Sequence, residues 1–278
     1  MKNILKIMLM MITIYTITGS AVYAAEIPVS DQDQLITSRD WTEISNLQDE
    51  MKKEEPDATI DYDKALKVYV DCNLIKLQTA DTKKLTSALE SANYVWVIPF
   101  KMEKTYGMFT VAKGLPLREE AKSVLTKAEQ EEVKNHAGKW MITETAEHTV
   151  EPYYDILLEK REALSDCTRV VLVGSQPGMR QPVALGMDDE TARIWISLGY
   201  QYPVMKKIPE TQNVESGVYS FDSVAEISDT YIEDSEVSTG AGVQSRSSMK
   251  YVAGIGIIVI GSILILSVLK KKKLEDYE

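Results

Sequence analysis

The residue types that most often perform covalent chemistry are scarce in this chain, which contains two cysteines and two histidines. Cys72 and Cys167 each follow an aspartate, and the histidines are His136 and His148. A cysteine nucleophile needs an imidazole within hydrogen-bond reach and a third group that orients it. A cysteine–histidine hydrolase or transpeptidase acting on cell-wall or peptide substrates is therefore one functional hypothesis. The favoured interpretation of each histidine is a solvated surface residue.

The same two cysteines also fit structural roles. Both lie in the part of the chain that we expect to be exported, where an even pair can form a disulfide. A bond between Cys72 and Cys167 would close a long loop and, in the chain-entropy account, stabilise the fold by about 4–5 kcal/mol. Buried unpaired thiols are the second alternative, and a catalytic thiol is the third. The sequence leaves all three open.

No spacing of residues predicts a metal or cofactor site. The two histidines lack a His-Glu-x-x-His arrangement, so they do not indicate zinc. Asp61 and Asp63 are followed by Lys64 and not by the alternating oxygen ligands of a calcium loop. The acidic run 188–190 is interpreted as a turn, and so is 174–178, because a strand and not a phosphate-binding helix is expected after it. We therefore predict no catalytic residue, cofactor or metal ligand.

Charge is unevenly distributed along the chain. The formal net charge is −11. Residues 1–24 contain lysines and no acid, and residues 250–278 contain more lysines than acids, so the region between them is strongly acidic. Such a surface repels nucleic acid and anionic headgroups, which excludes nucleic acid as an expected partner. It is compatible with a cationic partner, and solubility alone accounts for it equally well.

Hydrophobic periodicity predicts an α+β domain over residues 25–208. Asp81 is expected to cap a helix at 82–91, ahead of a hairpin with strands at 94–100 and 106–112. A short helix followed by a strand is predicted within 65–77. This strand, the helix at 82–91 and the hairpin together form a strand–helix–hairpin unit over 66–113.

A second set of elements over 140–198 has a similar order. A strand at 139–149 precedes a helix that begins near Pro152, and three strands follow at 169–174, 183–187 and 193–198. Two strand–helix–hairpin units suggest a mostly antiparallel sheet with flanking helices. Whether the two units share one sheet is left open.

Two further helices are predicted beside these units. Residues 40–54 show an amphipathic pattern. Residues 118–137 contain a capping box, in which Thr126 is followed three positions later by Glu129, and Gly138 is suited to end that helix.

The N-terminal residues 1–24 have the pattern of a secretory signal peptide. Lys2 and Lys6 precede an apolar run over 7–17, and small residues lead to an expected cleavage after Ala24. We expect the middle of the chain to be exported.

The composition changes to acidic and serine-rich over residues 209–249, which we interpret as a stalk too polar to bury a core. As a flexible coil it would hold the domain on the order of 35 Å from a membrane. Within it, apolar residues recur at the spacing of one helical face, which leaves open a short ordered segment. These residues are Tyr219, Phe221, Val224, Ile227 and Tyr231.

The uncharged run from Tyr251 to Leu269 is the most informative stretch of the sequence. As a helix it would be roughly 28 Å long, enough to cross a bilayer core, so we predict a single transmembrane helix over 250–270. Four lysines follow it and are expected to remain cytoplasmic with the short tail 271–278. These lysines are Lys270, Lys271, Lys272 and Lys273.

These features predict a single-pass cell-membrane protein with an extracellular N-terminal domain. The chain contains no Asn-x-Ser/Thr sequon and no Leu-Pro-x-Thr-Gly sorting signal, which favours a bacterial protein anchored by its own helix. The leading functional hypothesis is an extracellular binding or accessory module for an unidentified extracellular or membrane partner. The cysteine–histidine enzyme is the alternative.

Overall fold

A computed structural model describes residues 27–148, 151–174, 176, 179, 181–199, 205–208 and 213–227. The predicted signal peptide 1–24, transmembrane helix 250–270 and tail 271–278 lie outside these residues. Within the described ranges, no helix has the length and apolar character needed to cross a membrane.

One large sheet dominates the structure. Its strands are β1 (Thr59–Ile60), β2 (Leu66–Val70), β3 (Asn93–Lys101), β4 (Tyr106–Lys113), β5 (Trp140–His148), β6 (Arg169–Val173), β7 (Val183–Met187), β8 (Ala192–Ser197), β9 (Asn213–Glu215) and β10 (Val218–Ser220). They lie in the order β5-β4-β3-β2-β6-β7-β8-β10-β9, and β1 pairs with β3.

The helices are short and few. They are α1 (Trp41–Ile44), α2 (Gln48–Glu54), α3 (Thr82–Ser91), α4 (Lys127–His136) and α5 (Tyr153–Glu159), and residues 221–227 are also helical. Short 3-10 turns occupy Asp31–Asp33, Ser45–Leu47, Tyr62–Lys64, Ile75–Leu77, Glu120–Ser123 and Met205–Lys207. The protein is therefore a mixed α+β fold with a large sheet and a few helices.

The two predicted units share this sheet. Strands β2 and β6 pair in parallel at its centre, and every other described strand pair is antiparallel. The second unit is not formed as predicted, because β5 pairs with β4 and not with β6–β8. The chain after β4 returns beside that strand, and only then crosses to the middle of the sheet through α5.

Local capping residues were predicted correctly. The Asp81 side chain accepts a hydrogen bond from the Lys84 amide at the start of α3, and both halves of the capping box of Thr126 and Glu129 are present in α4. The predicted helix 40–54 is divided by a 3-10 turn into α1 and α2. In 65–77 the order is the reverse of the prediction, since strand β2 comes before a 3-10 turn.

Alternation along the strands creates a core on each face of the sheet. One face carries two clusters, the first around Tyr69, Val171 and Leu85 and the second around Trp96 and Phe109. The first lies under α3 and the second under α1 and α2. The opposite face carries a third cluster, which packs against α5 and is centred on side chains such as Val68, Leu172, Ala184 and Leu157.

The folded region extends beyond the boundary predicted at residue 208. Strand β10 pairs with β8, and Tyr219, Phe221 and Val224 are buried in the core cluster under α3. Phe221 stacks on Trp195 with ring centroids 5.8 Å apart. The sequence suggests a stalk here because these apolar residues are isolated among polar ones, yet Tyr219, Phe221 and Val224 all pack into the core. The rest of the predicted stalk, from residue 228, lies outside the described residues.

Candidate functional site

The structure does not bring the two cysteines together. Both are free thiols. Cys167 is buried in the cluster beneath α5, where a Cβ added to Gly186 would lie 2.8 Å from its Sγ. Cys72 packs against the cluster on the opposite face of the sheet. The disulfide considered from the sequence is therefore not formed. Cys167 fits the alternative of a buried unpaired thiol, whereas Cys72 is unpaired but only half-buried.

Both thiols are held in their neutral form. Burial, reinforced by the charge of Asp71, raises the pKa of Cys72 to about 12. Burial and the nearby Asp166 raise the pKa of Cys167 to about 11. A nucleophilic cysteine requires the opposite shift, because the thiolate is the reactive form.

The histidines do not complete a catalytic group with the cysteines. His136 is the half-buried last residue of α4, and the backbone of His148 pairs with Tyr106. That pairing places His148 at the end of the sheet opposite the end where Cys72 follows β2. Within the described ranges, no recorded hydrogen bond joins a cysteine to a histidine.

The acidic run 188–190 forms the predicted turn between β7 and β8. The Asp188 carboxylate accepts hydrogen bonds from the amides of Glu190 and Thr191 at 2.8 and 2.6 Å, and it also pairs with Arg193. These two hydrogen bonds from backbone amides contribute most to holding the pKa of Asp188 below its usual value. The carboxylate is therefore committed to the turn.

Asp61, one of the other two acidic residues considered, is also used internally. Asp61 lies 3.6 Å from Lys64, and Lys64 in turn pairs with Asp155 at 2.9 Å. In the part of the chain that the structure describes, no group of three or more side chains could hold a metal ion.

A buried charged network at the centre of the sheet was not anticipated from the sequence. Asp33 is 2% exposed and accepts hydrogen bonds from Ser30, Tyr69 and Arg169 at 2.6, 2.7 and 3.0 Å. Burial alone would raise the pKa of Asp33, but these hydrogen bonds and the Arg169 charge outweigh it and lower that pKa. Lys67 Nζ lies 3.5 Å from the same carboxylate.

Aromatic rings surround the ammonium group of Lys67. Its Nζ lies 4.7 Å from the ring centroid of Tyr94 and 5.3 Å from that of Trp96. Burial lowers the pKa of Lys67, although Asp33 acts in the opposite direction. Asp40 accepts hydrogen bonds from the Tyr94 hydroxyl and Trp96 Nε1 at 2.8 and 3.0 Å. Every charged group of this network is bonded inside the protein. The network also joins the two core clusters of this face, because Tyr69 belongs to the first and Trp96 to the second.

A groove of about 330 Å³ lies between the 3-10 turn Ile75–Leu77 and the helical residues 221–227. It has an apolar floor and an acidic rim. Its lining residues are Ile75, Gln78, Thr79, Ala80, Phe221, Asp222, Ala225 and Glu226. No cysteine or histidine contributes to it.

The connection between β4 and β5, residues 115–139, forms a projection that we call the helical arm. Its base is closed by two backbone hydrogen bonds, from the Gly114 amide to the Lys139 carbonyl at 2.9 Å and from the Gly138 amide to the Gly114 carbonyl at 2.8 Å. A Cβ at position 114 would come within 2.1 Å of the His136 carbonyl oxygen, so only glycine fits there. The arm is thus clamped to the sheet at both ends.

The helical arm contributes no described side chain to the buried core. Its helix α4 contains no buried residue, and Val124 and Leu115 are 70% and 42% exposed. Helices of this length are usually stabilised by packing an apolar face, and α4 has no such contact among the described residues. The arm is the strongest candidate binding surface among the described residues. Its capping box and charged composition were readable from the sequence, whereas the clamp at its base was not.

Comparison with protein-family models, with curated proteins and with solved structures found no match to this chain. Its function must therefore be inferred from its own residues and their geometry.

Proposed function

We propose that this protein is a non-enzymatic bacterial surface protein, anchored in the cell membrane by residues 250–270, whose α+β domain binds a partner outside the cell. The helical arm is its contact surface. The observation that carries this role is the clamped arm, whose described side chains are all outside the core and which presents Val124 and Leu115 to solvent. The partner is an extracellular protein or a neighbouring membrane protein.

The proposed location is supported by the two ends of the chain. The signal-peptide pattern at 1–24 directs export, and the uncharged run 251–269 followed by four lysines is typical of a stop-transfer helix with a cytoplasmic tail. The polar residues after 227 would then act as a spacer between the folded domain and the membrane. Protease treatment of intact cells should remove the domain and leave a membrane-protected C-terminal fragment. A domain that resists digestion until the membrane is disrupted would contradict this topology.

The cysteine–histidine enzyme is not favoured, because its residues are not assembled and both thiols have raised pKa values. The binding role can be tested directly in cells. A photo-crosslinking amino acid at Val124 should capture a protein partner. As the matched control, the same photo-crosslinking amino acid is placed at Leu158, an exposed position on α5, where it should capture no partner.

Two results of the crosslinking experiment would contradict the proposal. One is the absence of any adduct from position 124 in cells that display the protein. The other is the same set of adducts from positions 124 and 158, since that pattern would reflect crowding at the cell surface and not a specific contact.

A further inference from the structure

Strand β5 forms one edge of the sheet. It pairs with β4 along its whole length, from Tyr106 opposite His148 to Lys113 opposite Trp140. On its other side, no strand within the described ranges pairs with it. Alternate backbone N–H and C=O groups of an antiparallel edge strand point away from the sheet and can pair with an added strand.

The two edges of this sheet differ in how far they are protected. The opposite edge is β9, which is 3 residues long, whereas β5 is 9 residues long. Natural sheets blunt their edges with very short strands, lysine, proline or bulges. Strand β5 contains neither lysine nor proline, and its single irregularity, opposite Thr110 and Val111, leaves paired segments on both sides. Strand β5 carries this one bulge and two glutamates, but its length and its paired segments make it the less protected of the two edges.

The charge along β5 is negative. Glu144 and Glu147 are exposed, and Glu54 of α2 accepts a hydrogen bond from the Thr145 hydroxyl. If a second copy of β5 paired with this edge, it would bring two more glutamates next to Glu144 and Glu147, and like charges on paired strands are destabilising. A strand that carries lysine or arginine would instead place opposite charges beside these carboxylates.

We propose that β5 binds an extended, lysine- or arginine-bearing segment of a protein partner, which adds to the sheet as a further strand. Backbone hydrogen bonds supply affinity in this mode, and side chains at alternate positions supply specificity. The inference deepens the proposed binding role and relies on it only for the setting outside the cell. The helical arm leads directly into β5, so a partner held by the arm would lie next to this edge.

Peptide binding to the full chain, purified in a mild detergent, tests the inference. Side chains at 144 and 147 point to opposite faces of the sheet, because the two residues pair with Thr110 and Gly107. The probe is therefore a short valine-rich peptide with two lysines three positions apart, so that one lysine lies on each face. One control replaces its lysines with glutamate, and a second keeps the lysines but carries N-methyl groups on alternate backbone amides. The lysine peptide should bind, and isotope-edited infrared spectra should show its backbone in a sheet. Both control peptides should bind at least about tenfold more weakly, because one loses charge complementarity and the other loses the ladder hydrogen bonds.

Variants of the protein locate the site. Replacing Glu144 and Glu147 together by lysine should weaken the lysine peptide about tenfold and strengthen the glutamate peptide. The matched control is the pair Glu159→Lys and Glu190→Lys, which makes the same charge change at exposed positions away from β5 and should leave affinity unchanged. Equal loss in both pairs would overturn the inference, because it would show attraction to overall charge alone.

Other results would also overturn it. These are no binding of the lysine peptide, equal binding of the N-methylated peptide, or pairing of β5 with a second copy of the chain. If the lysine peptide does not bind but position 124 gives specific crosslinks, strand addition is rejected and the binding role remains. Peptide binding without any crosslink would reject the arm as the contact surface.

Discussion

The guanidinium of Arg169 donates a 3.0 Å hydrogen bond to the carboxylate of Asp33, across a separation of 136 residues in the sequence. Asp33 lies in the first described turn and Arg169 begins β6, so the pair ties the N-terminal segment to the centre of the sheet. The bond is buried on the Asp33 side, which is 2% exposed. Buried charges of this kind are costly to leave unpaired.

Replacing Asp33 by asparagine should destabilise the protein by about 3–5 kcal/mol, because Arg169 and Lys67 would lose the buried charge that compensates them. Urea unfolding would measure the loss. Asp49→Asn is the matched control, since Asp49 is exposed, and should change stability by no more than about 0.5 kcal/mol. Equal effects of the two substitutions would mean that the Asp33 pairing contributes nothing beyond a surface charge.

Stability should also depend on pH through Asp33. Its pKa is lower in the folded state than the ordinary value of 3.8. Its contribution is therefore fully present above the unfolded pKa and is lost as pH falls through the lower folded pKa. Unfolding free energies measured between about pH 6 and pH 3 should fall more steeply for the natural protein than for Asp33→Asn. Parallel curves would contradict this assignment.

Lys67→Met should be much milder than Asp33→Asn, with a loss below about 2 kcal/mol. Asp33 would keep its bonds from Tyr69, Ser30 and Arg169, and a methionine fits the aromatic surroundings of the lost ammonium. Urea unfolding of Lys67→Met would measure this loss. A loss as large as that of Asp33→Asn would show that Lys67 is the main partner of the carboxylate.

Gly114→Ala should open the base of the helical arm, because the new Cβ would meet the His136 carbonyl oxygen at 2.1 Å. We expect a loss of about 2 kcal/mol and faster hydrogen exchange throughout α4. Gly174→Ala is the matched control, since the nearest atoms to its added Cβ are at 3.5 Å, an ordinary contact. If exchange in α4 is unchanged in Gly114→Ala, the clamp does not hold the arm.

The two thiols should react slowly in the folded protein. Burial raises the pKa of both Cys72 and Cys167, so little thiolate is present at about pH 8. Iodoacetamide should label both cysteines rapidly in urea and much more slowly without it, as measured by mass spectrometry. A reductant should leave the melting temperature unchanged. A mass lower by two hydrogen atoms in the untreated protein would instead reveal the disulfide that the structure lacks.

Much of the local structure was predictable from the sequence. The caps at Asp81 and Thr126 depend on residues three positions apart, and the hairpin of β3 and β4 depends on alternation within a short segment. Such signals involve residues that are close together in the sequence, so they can be recognised without knowledge of the fold. The transmembrane and signal segments were predicted from local composition in the same way and remain predictions.

The candidate binding surface could be predicted only in part. The capping box marked α4 as a helix, and its charged sequence suits an exposed one, but neither signal shows that both ends of the arm are held to the sheet. The edge position of β5 depends on what its neighbours do, because a strand with the same alternation could have lain inside the sheet. Exposure is a property of the assembled sheet and not of the segment.

By itself, the sequence determined the main helices and strands between residues 82 and 198, where several of them begin, and that the class is α+β, because these properties arise from short-range periodicity and capping. Tertiary structure decided that Cys72 and Cys167 lie on opposite faces, that Asp33 meets Arg169, and that residues 213–227 belong to the fold. Each of these depends on which strands pair. That choice is made by the burial of side chains far apart in the chain, which no local pattern records.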